Sequence, residues 1–237
     1  MINDKSFLCL MLARGGSKGL PGKNLRQLHG RPLIDYTIDA VRKSNAFDRF
    51  ILSTDSEEIA DRARHLGVDI PFMRPAELSG DNSSALDAIV HALEWVEAHD
   101  KKYDYVQYIF PTAPLRDAND IQAGIQLLLD EEADMVISVC EDDHPKQWSN
   151  SLPPDGSLKD FIKKEYRNRN RQTLPKTYRI NGAIYVAKWD VFYHKKDWFD
   201  QNTKAYFMPR ERSVDIDTLL DFQMAEILLS DEVYYAA

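Results

Sequence analysis

The sequence predicts an α/β fold, with a mostly parallel, twisted sheet and helices on both of its faces. Residues 7–13 form a continuous apolar run, as in strands that are buried on both faces. Strand-like and helix-like segments then alternate over about the first 140 residues, which is typical of βαβ units. The length of 237 residues, with 43% hydrophobic and 29% charged residues, indicates one globular domain.

Each element is predicted from its own pattern of apolar residues. Helical spacing of Leu33, Ile34, Ile38 and Val41 indicates the first helix, and the segment 54–57 offers a capping box to the second. The predicted strands span residues 7–13, 49–53, 68–73, 105–110, 135–140, 183–187, 205–208 and 214–217. The predicted helices span residues 31–44, 84–98, 118–129 and 218–230, and another follows the capping box at 54–57 and runs to about residue 66.

The charge balance excludes several classes of protein. Thirty basic residues against 38 acidic ones give a net charge of −8, which argues against a general binder of nucleic acid. The longest apolar run is too short for a membrane helix, and it lacks the flanks of a signal peptide. Cys9 and Cys140 show no C-x-x-C pattern, so we expect buried thiols, no membrane association and a cytoplasmic location.

The segment 142–180 differs from the rest of the chain, because it is rich in Pro, Asn and charge. Residues 159–179 hold eight basic and two acidic residues, a net charge of +6 in an otherwise acidic protein. Two interpretations stay open for this arm. It is either a solvated surface segment, or a surface for an anionic ligand or a second subunit.

The strongest local signal is the loop after the first strand, Arg14-Gly15-Gly16-Ser17-Lys18-Gly19-Leu20-Pro21-Gly22-Lys23-Asn24. Glycines allow backbone N–H groups to approach a ligand, and three cations in one loop favour phosphate. The loop matches neither the Walker A motif nor G-x-G-x-x-G. A plain surface turn would account for the glycines but not for the cations.

A second signal is the pair Asp215 and Asp217 in the sequence Val214-Asp215-Ile216-Asp217. In a strand, alternate side chains share a face, so the two carboxylates would lie side by side and repel each other unless a cation joins them. Hard oxygen ligands of this kind suit Mg²⁺. The alternative is that Asp217 serves as the N-cap of the following helix.

Three further motifs lie at predicted strand ends or turns. Residues 110–116 (F-P-T-A-P-L-R) follow a strand at the edge where open α/β sheets bind ligands, although Arg116 could simply pair with an Asp. Residues 74–78 (R-P-A-E-L) lead to Asp81 and Ser84 at a helix start, and residues 179–185 (R-I-N-G-A-I-Y) contain an Asn-Gly turn signal.

Taken in order, A-R-G-G-S-K-G-L-P-G-K-N, S-T-D-S-E-E-I-A, R-P-A-E-L, P-T-A-P-L-R, N-R-Q-T-L-P, N-G-A-I-Y and V-D-I-D-T closely resemble the acylneuraminate cytidylyltransferases, the CMP-sialic acid synthetases. The resemblance runs from Cys9 to about Leu229. It implies a Rossmann-like nucleotidyltransferase fold, as a single domain over residues 1–237, with an inserted dimerisation and sugar-site element at 142–180. It further implies a homodimer that uses CTP and Mg²⁺ to activate a nonulosonic (sialic-type) sugar acid, releasing pyrophosphate.

The resemblance also implies roles for individual residues, with Arg14, Lys23, Asp215 and Asp217 as the catalytic set. The nucleotide would be bound by Arg14, Gly15, Gly16, Ser17, Lys18, Lys23, Asn24, Arg74, Asp81 and Ser84, with Arg14 and Lys23 on the phosphates and Arg74 on the cytosine. Asp215 and Asp217 would bind the metal. The sugar would be bound by Phe110, Thr112, Lys146, Arg171, Asn181 and Tyr185, with Arg171 reaching towards the neighbouring subunit's site. No side chain is assigned as a general base.

Two departures from the family pattern concern the sugar. Phe110 stands where sialic-acid members usually have Gln, and Lys146 is shifted by one position in H-P-K-Q. N-acetylneuraminate is the leading sugar, with legionaminic or pseudaminic acid as the enzymatic alternative and Kdo less favoured. A silent nucleotide-binding module and a nucleic-acid binder using the arm are the non-enzymatic alternatives; the intact loop and the acidic remainder argue against them.

Overall fold

The computed structural model describes residues 2, 4–80 and 83–230, and these form a central sheet covered by helices. The strands are β1 (Phe7–Leu12), β2 (Gln27–Leu28), β3 (Arg31–Pro32), β4 (Arg49–Ser53), β5 (Tyr105–Ile109), β6 (Met135–Glu141), β7 (Tyr178–Lys188) and β8 (Thr203–Phe207). The helices are α1 (Leu33–Ser44), α2 (Glu57–His65), α3 (Ala85–His99), α4 (Ala118–Asp130), α5 (Trp189–Lys195) and α6 (Leu219–Leu229).

The main sheet has the strand order β4-β1-β5-β7-β6-β8 within the described residues. β1 is buried along its whole length and pairs in parallel with β4 on one side and β5 on the other. β7 runs antiparallel to both of its neighbours, β5 and β6, while β8 is parallel to β6. The sheet is therefore mixed but mostly parallel, and the predicted fold class is confirmed.

Alternating side chains of β1 divide the core into two layers. Cys9 and Met11 pack with apolar residues of α1, α2 and α4. Leu8 and Leu10 pack with residues of α3 and α5 on the opposite face. Two buried faces explain why β1 reads as a continuous apolar run rather than as an alternation.

Two predicted strands are wrong. Residues 68–73 make only an isolated bridge, Asp69 to Ile51, beside β4. Residues 214–217 form no strand, because Ile216 N–H donates to the Thr112 carbonyl while the Ile216 carbonyl accepts from the Lys23 ammonium instead of from a neighbouring strand. A ladder needs both backbone groups, so the pairing stops there.

The cap of α2 also differs from the prediction. Ser56, not Thr54, is the N-cap, and its hydroxyl accepts from Ile59 N–H. The Thr54 hydroxyl accepts from Ser56 N–H just before the helix. The helix begins at Glu57, which the predicted box would place as its third residue, and its cap is a single bond rather than a reciprocal box.

β7 is longer than predicted because its Asn-Gly pair is a bulge inside the strand rather than a turn. The register between β6 and β7 shifts between Ile137 and Val139. Gly182, which lies in β7 beside this irregularity, has φ of +73°, a value in the left-handed region that favours glycine. Local sequence cannot distinguish these two uses of Asn-Gly, since both need positive φ.

The arm between β6 and β7 contains only three short 3-10 turns: Lys146–Trp148, Lys164–Tyr166 and Arg171–Thr173. Most of its side chains are exposed, with Leu174 as a buried exception. The predicted boundary near residue 180 falls just inside β7, which starts at Tyr178. The role of this arm in dimerisation stays a prediction.

Candidate active site

A cavity of about 520 Å³ opens at the carboxyl ends of β1 and β5. The chain leaves β1 for β4 on one side and later returns to β5 on the other, and such reversals of strand order create ligand-binding crevices. Eleven predicted site residues line the cavity: Arg14, Ser17, Lys18, Lys23, Asn24, Arg74, Ser84, Phe110, Thr112, Asp215 and Asp217.

The glycine-rich loop after β1 is held at both ends by side chains. Gly15 N–H donates to Asp55 Oδ1 at 2.8 Å, which ties the start of the loop to the turn after β4. The buried Asn24 donates from Nδ2 to the Arg14 carbonyl at 3.0 Å, which closes the loop on itself. Arg14 reaches across the cavity to the Gly80 carbonyl at 3.1 Å. These three contacts within the protein hold the loop in its conformation.

Lys23 joins this loop to residues 214–217, the acidic segment that carries Asp215 and Asp217. Its ammonium donates to the Ile216 carbonyl at 2.5 Å and to Asp217 Oδ1 at 3.1 Å. Its side chain is only 11% exposed, so the ion pair is partly shielded from water. Gly19 lies in the same contact, because a Cβ there would come within 2.4 Å of the Asp217 carbonyl oxygen. Loop and acidic segment therefore pack closely against each other.

The two carboxylates of the acidic segment have different surroundings. Asp215 is half-buried, and burial raises its pKa, with repulsion from Asp217 adding to the effect. A hydrogen bond from Thr112 and the charges of Lys23 and Arg179 act in the opposite direction. Asp217 is largely exposed.

Asp217 is not the N-cap of α6. Thr218 occupies that position and forms a capping box with Asp221. The prediction that Asp217 caps the helix is therefore wrong. The Asp217 carboxylate faces the cavity, with Lys23 as its hydrogen-bond partner.

The donor set is compatible with Mg²⁺. Two carboxylate side chains line one cavity whose other walls carry cations suited to phosphate. Among the described residues no group of three or more His, Cys, Asp or Glu side chains forms a complete metal cage. Mg²⁺ typically uses one or two protein carboxylates and takes its remaining ligands from water and substrate phosphates. Asp215 and Asp217 fit that pattern.

Arg74 forms a buried cationic wall of the cavity. Its guanidinium donates to the Ser53 hydroxyl and the Ser53 carbonyl, at 2.9 and 2.5 Å. Burial lowers its pKa to about 10, so it keeps its charge at neutral pH. Nearby, Ser84 is the N-cap of α3. Asp81, the predicted neighbour of Arg74, lies outside the described residues.

The predicted sugar-binding residues are less closely grouped. Phe110 and Thr112 line the cavity, and the Phe110 ring meets the Tyr108 ring edge-on at 5.1 Å. Tyr185 also stacks on Tyr108, at 4.4 Å, and is half-buried. Asn181 is fully buried with its amide paired inside the protein, away from the cavity.

Four more predicted residues lie off the cavity wall. Lys146 is exposed near Asp142, at 3.7 Å, and Arg171 is exposed on the arm. Gly15 and Gly16 belong to the loop but do not line the cavity. Binding roles for these residues and for Asn181 and Tyr185 stay predictions.

Arg116 has a structural role that its motif did not reveal. It is fully buried and donates to the Ala183 carbonyl at 3.1 Å and to the Thr37 hydroxyl at 2.7 Å. No Asp partner is needed, because carbonyl and hydroxyl oxygens carry these bonds. The guanidinium connects β7 to α1.

Sequence reasoning missed Asp55 and Gly182 as site residues. Both stand inside the motifs S-T-D-S and N-G-A-I-Y, so motif membership was the available signal. Their contacts with Gly15 and Asp215 join segments more than thirty residues apart, which local patterns do not report.

Comparison with known proteins settles the family. The sequence profile of cytidylyltransferases matches residues 8–237. The chain belongs to the cytidylyltransferase family. It is therefore an enzyme of the nucleotidyltransferase type, as the motifs predicted, and the resemblance to the acylneuraminate group is confirmed.

Three cytidylyltransferase relatives show the range of this group. A pseudaminic acid cytidylyltransferase of Campylobacter jejuni is 33% identical over 93% of this chain and 95% of its own. An N-acylneuraminate cytidylyltransferase of Escherichia coli is 35% identical over 92% of this chain and 51% of its own. A CMP-N,N'-diacetyllegionaminic acid synthase of Legionella pneumophila is 32% identical over 94% of this chain and 96% of its own.

Solved structures support the same fold. A CMP-2-keto-3-deoxy-manno-octonic acid synthetase complexed with CTP aligns with a TM-score of 0.70 at 15% identity, over 96% of this chain and 100% of that one. A 4-diphosphocytidyl-2C-methyl-D-erythritol synthase of Anaerococcus prevotii aligns with a TM-score of 0.69 at 16% identity, over 96% and 97%. Within the described residues of this cytidylyltransferase, no helix has the length and apolarity to cross a membrane.

Proposed function

We propose that this cytidylyltransferase transfers CMP from CTP to a nonulosonic sugar acid. The anomeric hydroxyl oxygen of the sugar attacks the α-phosphorus and loses its proton, the bond from the α-phosphorus to the bridging oxygen breaks, and pyrophosphate leaves. The observation that carries the proposal is the shared cavity, in which Arg14, Lys18 and Lys23 of the glycine-rich loop meet Asp215 and Asp217.

The charges of the cavity suit this chemistry. Phosphoryl-type transfer needs positioning and charge neutralisation rather than covalent help from the protein. We propose that Arg14 and the loop lysines neutralise the triphosphate, and that Asp215 and Asp217 hold Mg²⁺ against it. The metal, when bound, neutralises phosphate charge and lowers the pKa of the attacking hydroxyl.

Phe110 is the residue from which we propose the identity of the sugar. The sequence alone favoured N-acetylneuraminate, but Phe110 lines the cavity and offers neither a donor nor a carbonyl acceptor. An apolar wall favours a methyl group over a hydroxyl, so a deoxy sugar such as legionaminic or pseudaminic acid is the better candidate. Relatives named for each of these acids have similar identity to this chain.

A pyrophosphate-release assay tests the proposal. Purified protein is mixed with CTP, Mg²⁺ and one of N-acetylneuraminic, legionaminic, pseudaminic or 3-deoxy-octulosonic acid. We expect sugar-dependent release with at least one nonulosonic acid, and little release with the octulosonic acid or with Asp215→Ala. Absence of release with every nonulosonic acid would contradict the proposal.

We also propose a homodimer formed through the arm. Tyr178, Ile180 and Phe207 are exposed apolar side chains at one end of β6–β8, beside the arm. Ile180 and Phe207 lie in one row across the sheet, since both pair with Val139. A second copy would cover this face, and the exposed Arg171 would reach the partner's cavity.

A further inference from the structure

The bulge of β7 lies directly against Asp215. Gly182 adopts φ of +73°, and a Cβ built on it would come within 2.8 Å of Asp215 Oδ2 and 3.2 Å of Asp215 Cγ. Any side chain at position 182 would therefore overlap with the Asp215 carboxylate. The irregular register of β7 with β6 lies next to this contact.

The backbone around the bulge is braced from both sides. The buried Asn181 amide accepts from the Ser138 hydroxyl on β6 at 2.5 Å and donates to the Ser213 hydroxyl at 2.8 Å. Ser213 lies two residues before Asp215, and its carbonyl accepts from Arg179 at 3.3 Å. Hydrogen bonds from β7 therefore hold the segment that carries Asp215.

The next residue along β7 is held as well. The Ala183 carbonyl accepts from the buried Arg116 guanidinium at 3.1 Å. With Asn181 and Ala183 both fixed, β7 has little freedom to withdraw from a new side chain at position 182. The Asp215 carboxylate, at the end of a short rotatable side chain, is the group that would give way.

We propose that Gly182 is a positioning residue, whose missing side chain leaves the space in which the Asp215 carboxylate faces the cavity. The inference rests on the proposed function, since the metal-binding role of Asp215 belongs to it. It adds a role for the N-G-A-I-Y motif in the proposed metal site. The glycine of this motif leaves room for the Asp215 carboxylate.

The test compares Gly182→Ala with Gly30→Ala. Gly30 has φ of +74° in the β2–β3 hairpin, and a Cβ there would meet nothing within 4 Å. Both variants therefore carry the same backbone strain, but only one intrudes on Asp215. We expect similar losses of melting temperature in the two variants.

Calorimetric titration with CTP, with and without Mg²⁺, gives the functional comparison. We expect Gly182→Ala to lose about 10- to 100-fold of its Mg²⁺-dependent CTP affinity, the range typical of partners that orient metal ligands, and to keep its metal-free affinity. Gly30→Ala should match the wild type in both. Unchanged Mg²⁺-dependent affinity in Gly182→Ala would overturn the inference.

A crystal structure of Gly182→Ala provides a second, independent test. We expect the Asp215 carboxylate to be rotated away while the Cα positions of β7 stay in place; an unmoved carboxylate overturns the inference. A wild type that binds no CTP refutes the proposed function, and the crystal structure then still tests the contact. If Gly182→Ala alone does not fold, we expect the double variant with Asp215→Ala to fold, and failure of both overturns the inference.

Discussion

Asp215 affects activity and stability in opposite directions. The proposed reaction needs its half-buried, ionised carboxylate, but that carboxylate lowers the stability of the folded protein. Its pKa is raised by burial first and by Asp217 second. A group whose pKa is raised on folding contributes stability that is present below its unfolded pKa, near 4, and is lost as the pH rises through the folded pKa. At neutral pH the ionised form therefore destabilises the protein.

We expect Asp215→Asn to raise the melting temperature at pH 7 and to raise it less near pH 4, while kcat falls about 10²- to 10³-fold, as for the loss of one electrostatic contact in an active site. Thermal melts at the two pH values and the pyrophosphate assay check this. Asp87→Asn, at an exposed position in the first turn of α3, is the control for the loss of a carboxylate that is not buried. Lower stability of Asp215→Asn at pH 7 would show that the carboxylate is a structural ion-pair partner instead.

The two loop lysines separate binding from stability. Lys23→Ala leaves the Ile216 carbonyl without its ammonium donor, so we expect a stability loss of about 1–3 kcal/mol together with weaker CTP use. Lys18 is exposed on the same loop, so Lys18→Ala should weaken CTP use with little change in stability. Denaturant unfolding and KM for CTP are the measurements. Normal CTP kinetics in both variants would make the loop structural only.

Phe110 is expected to set sugar preference. Phe110→Gln restores an amide at the cavity wall, and a dedicated polar partner discriminates by several kcal/mol, whereas a methyl in an apolar pocket is worth about 1–3 kcal/mol. The ratio of kcat/KM for N-acetylneuraminate to that for a 9-deoxy relative should therefore rise. An unchanged ratio would remove Phe110 from the specificity residues. Its packing against Tyr108 makes a stability control on the same variant necessary.

At the scale of elements, the glycine-rich loop depends on its attachment to the turn after β4. The Asp55 carboxylate accepts from Gly15 N–H and also lies near the buried Arg74, whose charge it stabilises. The loop thus shares one acidic anchor with the cationic wall of the cavity. This anchor stands in the S-T-D-S motif.

We expect Asp55→Ala to raise KM for CTP several-fold with a small effect on melting temperature, because the loop loses its position but the core is untouched. Asp55→Asn keeps an oxygen acceptor for Gly15 N–H and should stay close to wild type. Equal damage from both substitutions would mean that charge on Arg74, rather than the loop contact, is what Asp55 provides.

The elements also show where sequence patterns succeed. Strand ends and loops that directly follow one another, such as β1 and residues 14–24, place their side chains in one cavity as predicted. The alternation in Val214–Asp217 correctly buried Ile216, although no strand forms. The burial of Asn181 could not be predicted, because the direction of its side chain depends on Ser138 and Ser213, which only tertiary packing brings near.

At the scale of the whole molecule, the fold class followed from periodicity, but the antiparallel direction of β7 did not. The chain passes from β6 to β7 through the arm, without a crossover helix, and β7 runs back alongside β6. A helical crossover of the βαβ kind would have kept the strand parallel. The same arm carries the +6 segment and the proposed subunit contact.

Mixing two inactive variants tests whether subunits share sites. In a dimer of Arg171→Ala with Asp215→Ala, one of the two sites has both an intact Asp215 and an intact partner arm. After dissociation and random reassociation we expect about a quarter of the wild-type rate. No recovery, or a fully active monomer by light scattering, would contradict the shared site.

In the proposed reaction, CTP and a nonulosonic acid are joined through the α-phosphorus. Phosphorus-31 NMR of one reaction mixture, with CTP, Mg²⁺ and a sugar enriched in ¹⁸O at its anomeric hydroxyl, measures this directly. We expect equal amounts of pyrophosphate and a CMP-sugar phosphodiester whose signal carries the ¹⁸O isotope shift. Release of unlabelled CMP without a sugar phosphodiester, or label in the pyrophosphate, would contradict it.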